Sequence, residues 1–219
     1  MTRLAVFDCD GTLVDGQADI CAAMAEAFAG EGLAAPSSHA TRRIVGLSLP
    51  QAMRRLHQRG SDADHDRLCT RYREAYRARR AANALSEPLF PGIAELLDRL
   101  RGEGWLLGVA TGKSARGLDH CLAAHGLARH FVTLQTADRH PSKPHPAMLE
   151  AALAATGTAP AACAMIGDTD FDMAMARAAG TRAIGVAWGY HERHELLSAG
   201  AEAVAESPAE LAALLADSR

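Results

Sequence analysis

Leu4-Ala5-Val6-Phe7-Asp8-Cys9-Asp10-Gly11-Thr12-Leu13-Val14-Asp15 decides the fold. Four consecutive apolar residues, 4–7, are enough for a buried strand and too few for a helix. They run straight into Asp8 and Asp10, which one intervening residue places on the same side of an extended chain. Gly11 permits the sharp turn that must follow. In an open α/β sheet, ligands bind beyond the carboxyl ends of the strands. Two acids held close repel unless a cation or a proton offsets them. A divalent cation would do so, and an aspartate can attack phosphorus while a second acid moves protons. The plainer alternative is a strand ending in an Asp-Gly turn, so the rest of the chain has to discriminate.

A chain of 219 residues can bury a full core and carry a sub-domain. Its 48% apolar and 22% charged residues are ordinary for a globular protein, and a net charge of −3 gives no field for nucleic acid or an anionic membrane. Cys9, Cys21, Cys69, Cys121 and Cys163 are scattered and odd in number, with no Cys-x-x-Cys pair. Reduced thiols in a cytoplasmic protein are expected, rather than a zinc site or disulfide framework. The N-terminus lacks the pattern of a signal peptide, and no apolar run approaches a membrane span. Arginine is common throughout, whereas Lys113 and Lys143 are the only lysines.

Between residues 16 and 87 the spacing predicts four helices, over 18–30, 39–45, 50–59 and 62–83, and no clear strand. The fourth carries Arg71, Arg73, Arg77, Arg79 and Arg80 interleaved with acids, which reads as a solvated face. From Pro91 onward, helices alternate with apolar strands over 105–110, 131–136, 161–166 and 183–187. Alternation of this kind implies a Rossmann-like parallel sheet with helices on both faces, to which the strand at 4–7 belongs. The expected organisation is a core made of 1–15 and 88–219, with an all-helical insert at 16–87 after the first strand.

Polar residues cluster where the strands stop. The first strand gives Asp8 and Asp10; the strand at 105–110 gives Thr111 and Gly112, before a helix N-terminus suited to an anion. The strand at 161–166 gives Gly167-Asp168-Thr169-Asp170-Phe171-Asp172, and Lys143 lies in Pro141-Ser142-Lys143-Pro144 ahead of another helix. Each has an ordinary alternative alone: Thr111 an N-cap, Lys143 a surface residue, Asp168 and Asp172 first-turn acids. A parallel sheet brings all of them to one edge, and that joint placement favours a phosphate site.

In this order the residues resemble the haloacid dehalogenase-like superfamily of phosphohydrolases. Asp8-x-Asp10-Gly11-Thr12-Leu13-Val14-Asp15 is similar to its first motif, Thr111 to its second, Lys143 to its third and Gly167-Asp168-x-x-x-Asp172 to its fourth. The insert resembles its helical cap, and Arg42-x-x-Val45-Gly46 the substrate-facing cap loop of phosphoglycolate phosphatase-like members. Gly16, where relatives usually carry Ser, is a departure at the cap hinge.

The resemblance implies a Mg²⁺-dependent phosphatase acting on a small phosphomonoester, with phosphoglycolate a candidate. Asp8 would be the nucleophile and Asp10 the acid and base. Thr111, Gly112 and Lys143 would hold the phosphoryl group. Asp8, the Asp10 carbonyl and Asp168 would hold the metal, with Asp172 ordering that shell or Lys143, and Arg42 and Arg43 would read the leaving group. Asp10 argues against dehalogenation, and the absence of lysine from 16–87 against Schiff-base cleavage of a phosphonate. A sugar phosphomutase, a pyrophosphatase or nucleotidase, and a non-catalytic binding protein that kept the fold remain as alternatives. Nothing in the sequence reports oligomeric state. His191 and His194 read as residues of a surface helix, since a metal pair there lacks a third ligand.

Overall fold

The computed structural model describes residues 2–82 and 84–216. The strand Arg3–Phe7 (β1) is buried from Leu4 onward, because both of its faces are covered. Leu4 and Val6 enter one apolar cluster, Ala5 and Phe7 another, as a side-chain period of two requires. Four helices follow: Gln17–Gly30 (α1), Ser38–Arg42 (α2), Leu49–Leu56 (α3) and Asp62–Ala81 (α4). The expected helix at 62–83 ends earlier, and residue 83 lies outside the described residues. The chain then alternates through Ile93–Gly102 (α5), Trp105–Thr111 (β2), Ala115–Ala124 (α6), Thr133–Thr136 (β3), Ala147–Thr156 (α7), Cys163–Gly167 (β4), Asp170–Ala178 (α8) and Arg182–Val186 (β5). Arg193–Ser198 (α9), Ala203–Ala205 (β6) and Pro208–Ala216 (α10) complete it.

The six strands form one parallel sheet in the order β3-β2-β1-β4-β5-β6. Strand β1 is central, between β2 and β4, and the order reverses there. Parallel crossovers run to opposite faces on either side of it, opening a crevice at the carboxyl ends of β1 and β4. Asp8 continues the ladder, its N–H donating to the Ile166 carbonyl at 2.9 Å. The α/β class expected from the alternating pattern is the observed one.

The four N-terminal helices bury their own cluster, Met24, Phe28, Ile44, Leu47, Ala52, Met53, Leu68 and Cys69, which also takes in Phe171 from α8. Helix α4 begins with a capping box: Ser61 Oγ accepts from the Asp64 N–H at 3.2 Å while the Asp64 carboxylate accepts from the Ser61 N–H at 2.7 Å.

One element lay outside the sequence reading. Ala203-Val204-Ala205 is too short to show a period, yet it adds to the sheet beside β5. Helix α9 does carry His194, but His191 lies before it and is 3% exposed, which corrects its placement on a surface helix. The His191 ring packs edge-on against Phe171. All five cysteines are free thiols.

Candidate active site

The sheet delivers the predicted residues in three groups. Asp8 is fully buried at the end of β1. Its Oδ1 accepts from the Cys9 N–H at 2.6 Å and faces Lys143 Nζ at 3.0 Å. Its Oδ2 is buried and accepts no hydrogen bond among the described residues. Lys143, far from being a surface residue, is 1% exposed and also donates to Asp172 Oδ1 at 2.6 Å. Asp172 is held in turn by Thr169, whose hydroxyl and N–H donate to its Oδ2 at 2.6 and 3.1 Å in the capping box that opens α8. Asp168 accepts from the Thr12 hydroxyl at 2.8 Å and the Tyr190 N–H at 2.9 Å. Gly11 makes this fit possible. Its φ of +86° turns the chain after Asp10, and a Cβ there would stand 2.2 Å from Asp168 Oδ2.

Carboxylate oxygens of Asp8, Asp168 and Asp172 lie within 4.8 Å of one another. Three buried carboxylates around one ammonium leave negative charge unbalanced. Burial pushes the Asp8 pKa up to about 7, opposed by Lys143 and reinforced by Asp172. Burial, then Asp8, then Asp172 push Asp168 well above its ordinary value. Lys143 is held above the usual lysine pKa because Asp172 and Asp8 together outweigh its own burial. The donor set is all oxygen, and it is short of positive charge. That combination fits a hard divalent cation.

Asp10 belongs to a second group that the sequence reading missed. Lys113 Nζ lies 3.0 Å from Asp10 Oδ1 and 2.6 Å from Glu87 Oε1, and the Tyr76 hydroxyl donates to the same Glu87 oxygen at 2.7 Å. Burial raises the Asp10 pKa, with Lys113 opposing and Glu87 adding. The available signal was scarcity: Lys113 is one of two lysines in an arginine-rich chain and sits two residues after Thr111. Glu87 gave no signal, since it lies between elements.

Thr111 ends β2, buried, and its hydroxyl accepts from the Lys113 N–H at 3.2 Å. It is not the N-cap of α6; that role falls to Ser114, whose side chain accepts from the Gly117 N–H at 3.2 Å. Gly112 sits beneath the loop between α2 and α3. A Cβ on Gly112 would meet the Leu47 and Gly46 carbonyl oxygens at 2.5 and 2.7 Å, and one on Gly46 would stand 3.7 Å from Asp8 Oδ2. The helical insert thus reaches the sheet edge at backbone distance.

A cavity of about 580 Å³ runs from Asp10 and Lys113 between this loop, α4 and the start of α6. Arg42 and Arg43 do not line it. They line a smaller cavity of about 370 Å³ with Trp188 and Tyr190, where Arg42 donates to Gln17 at 3.1 Å and Arg43 pairs with Glu195 at 2.6 Å. The large cavity is instead faced by Tyr72, Arg73, Tyr76, Arg77 and Arg80 of α4; Arg73 and Arg77, whose face sequence alone read as solvated, are exposed and line it as well.

Residues 5–186 match the family model described as haloacid dehalogenase-like hydrolase. The chain is 33% identical over 213 residues to a probable phosphatase, IndB, of Dickeya dadantii (strain 3937), covering 96% of this chain and 92% of that relative. It is 32% identical over 196 residues to a phosphoglycolate phosphatase of Mesorhizobium japonicum, covering 87% and 85%. A solved hydrolase from Pseudomonas syringae superposes with a TM-score of 0.87 at 28% identity, covering 99% of both chains. The family match takes in β1, the helical insert and the sheet as far as β5. The chain belongs to the haloacid dehalogenase-like hydrolase family.

Proposed function

We propose that this phosphatase of the haloacid dehalogenase-like family hydrolyses a small phosphomonoester through an aspartyl-phosphate on Asp8, with Mg²⁺ as its cofactor. One observation carries the reading: the Asp8 Oδ2 atom is buried, without a hydrogen bond among the described residues, at the switch point of the sheet. A carboxylate oxygen kept free there is available to attack phosphorus. Lys143, anchored by Asp172, offsets the repulsion between Asp8 and an incoming phosphate and balances charge developing on the phosphoryl oxygens. Thr111 and Gly112 would offer that group their hydroxyl and N–H.

Asp8 Oδ2 would form its bond to phosphorus as the ester P–O bond breaks. Asp10, whose raised pKa favours retention of a proton, would deliver that proton to the departing alkoxide. A water molecule would then attack the same phosphorus, giving its proton back to Asp10 and releasing phosphate as the Asp8 bond breaks. Asp8, Asp168 and the Asp10 carbonyl would hold Mg²⁺, with Asp172 ordering them; bound there, the cation supplies the missing positive charge. The helices at 16–87 act as a cap: their loop at Gly46 covers Asp8 and limits water, and the cavity beneath them receives the leaving group. The relatives named phosphoglycolate phosphatase support a carboxylated ester such as phosphoglycolate as a candidate.

Phosphate release from a panel of phosphomonoesters, with Mg²⁺ and then with chelator, tests this. Metal-dependent release that Asp8→Asn abolishes is the expected result. Conversion of a sugar monophosphate to its isomer without release of phosphate would favour a phosphomutase instead.

A further inference from the structure

The arginines of α4 fall into two sets. Arg67, Arg71 and Arg79 each pair with carboxylates: Arg67 and Arg71 with Glu31 at 2.8 and 3.2 Å, Arg79 with Asp19 and Glu26 at 3.0 and 3.2 Å. Arg73, Arg77 and Arg80 lie on another face at helical spacing, together with Tyr72 and Tyr76, and all five line the large cavity. Among the described residues neither Arg73 nor Arg77 makes an ion pair, nor does Arg116, which reaches the same cavity from α6. Arg80 lies 5.7 Å over the Tyr76 ring. The stacked rings of Tyr72 and Tyr76, with Ile20, Met24 and Leu49, add an apolar wall, and Asp10 and Asp138 are the acids that line the same cavity.

Arginines on a helix can pair with acids three or four positions away or on a neighbouring helix, as the other set does. Cations gathered without partners around one concavity raise the local concentration of anions, and a guanidinium can hold a carboxylate or phosphate through two parallel hydrogen bonds. The phosphoryl group that Asp8 would attack is already met by Lys143. These arginines are therefore surplus to the transferred group. The cavity also exceeds what a two-carbon acid would fill, since volumes of roughly 300–1,000 Å³ serve drug-sized ligands.

We infer that the leaving group selected here carries a second anionic group on a chain longer than glycolate, read by Arg73 and Arg77 with Arg116. This rests on the phosphatase reading and deepens it, replacing phosphoglycolate as the candidate with a longer anionic ester. Carboxylate and phosphate share the chemistry, and paired substrates separate them. 6-Phosphogluconate and glucitol 6-phosphate differ only in a carboxylate at the far carbon; fructose 1,6-bisphosphate and fructose 6-phosphate differ in a second phosphate.

The readout is the ratio of kcat/KM within a pair, which cancels losses of folded or active enzyme. The wild type should favour the anionic member of at least one pair by about tenfold or more, as expected for charge-assisted contacts. Arg73→Gln and Arg77→Gln should each cut that ratio several-fold and their combination should bring it near one, whereas Arg71→Gln, on the paired face, should leave it. Which pair responds identifies the anion. A wild-type ratio near one in both pairs, or a preference that the double variant keeps, would overturn the inference while leaving the phosphatase reading intact. No phosphate release by the wild type from any phosphomonoester, with Mg²⁺ present, would remove both.

Discussion

The ammonium of Lys113 stands 3.0 Å from the Asp10 carboxylate, in a setting only 11% exposed for the lysine side chain and 10% for the aspartate. The same ammonium bonds Glu87, so one cation separates two acids. Lys113→Met would leave both buried and unbalanced. Removing one partner of a buried pair costs about 3–5 kcal/mol, and at about 2–4 °C per kcal/mol for a domain of this size a Tm loss near 10 °C is expected. The kcat should fall at least tenfold, because Asp10 loses the group that orients it. Combining Lys113→Met with Glu87→Gln should recover part of the Tm but not the kcat. Equal recovery of both would show that Lys113 serves stability alone.

Asp8→Asn should lower kcat by about a thousandfold or more, since an amide does not attack phosphorus. The fold should survive. Burial already pushes the Asp8 carboxyl up to about 7, so a neutral side chain relieves a charge the site disfavours. A Tm at or above wild type in metal-free buffer, alongside lost turnover, is the expected pair of results. Turnover within a few-fold of wild type would refute the nucleophile assignment.

Mg²⁺ should stabilise the protein independently of turnover. A ligand that binds only the folded state at a hundred times its Kd adds about 2.7 kcal/mol, which corresponds to a Tm rise of roughly 5–10 °C. Chelator should reverse it, and Asp168→Asn should abolish it. A Tm indifferent to millimolar Mg²⁺ in the wild type would mean that the three carboxylates hold no metal.

His191 sets an acid limit. Burial, then the neighbouring Arg43, push its pKa below the ordinary histidine value, while Asp170, Glu195 and Asp172 oppose them. In the folded protein its Nδ1 accepts from the Asp170 N–H at 3.3 Å, which requires that nitrogen unprotonated. The unfolded chain binds the proton more readily, so stability is complete above about pH 6.5 and is lost as pH falls below it. The drop in Tm between pH 7.5 and pH 5.5 should be smaller in His191→Gln than in the wild type. An unchanged drop would assign acid sensitivity elsewhere.

The α/β alternation and the polar strand ends were legible from the residues alone, because a buried parallel strand writes itself as an apolar run and its loop must turn where the run stops. Residues 4–7 followed by Asp8 and Asp10 carry both signals within seven positions. Asp8, Lys143, Asp168 and Asp172 are separated by as many as 164 positions, yet strand order alone brings their elements to one edge. What sequence could not contain is pairing across faces that carry no period. Glu87 sits between elements, and its bonds to Lys113 and Tyr76 exist only because α4 and the loop after β2 close over the same crevice. The arginines of α4 look alike along the chain; only the tertiary structure decides that Arg67 and Arg71 reach Glu31 and Arg79 reaches Asp19 while Arg73 and Arg77 meet a cavity. The same holds for Arg42 and Arg43, which a local motif directed at the leaving group and the packed chain directed at Gln17 and Glu195. Local pattern determines where a strand ends. Which charges remain unpaired depends on what packs opposite, and that is settled only when the elements dock.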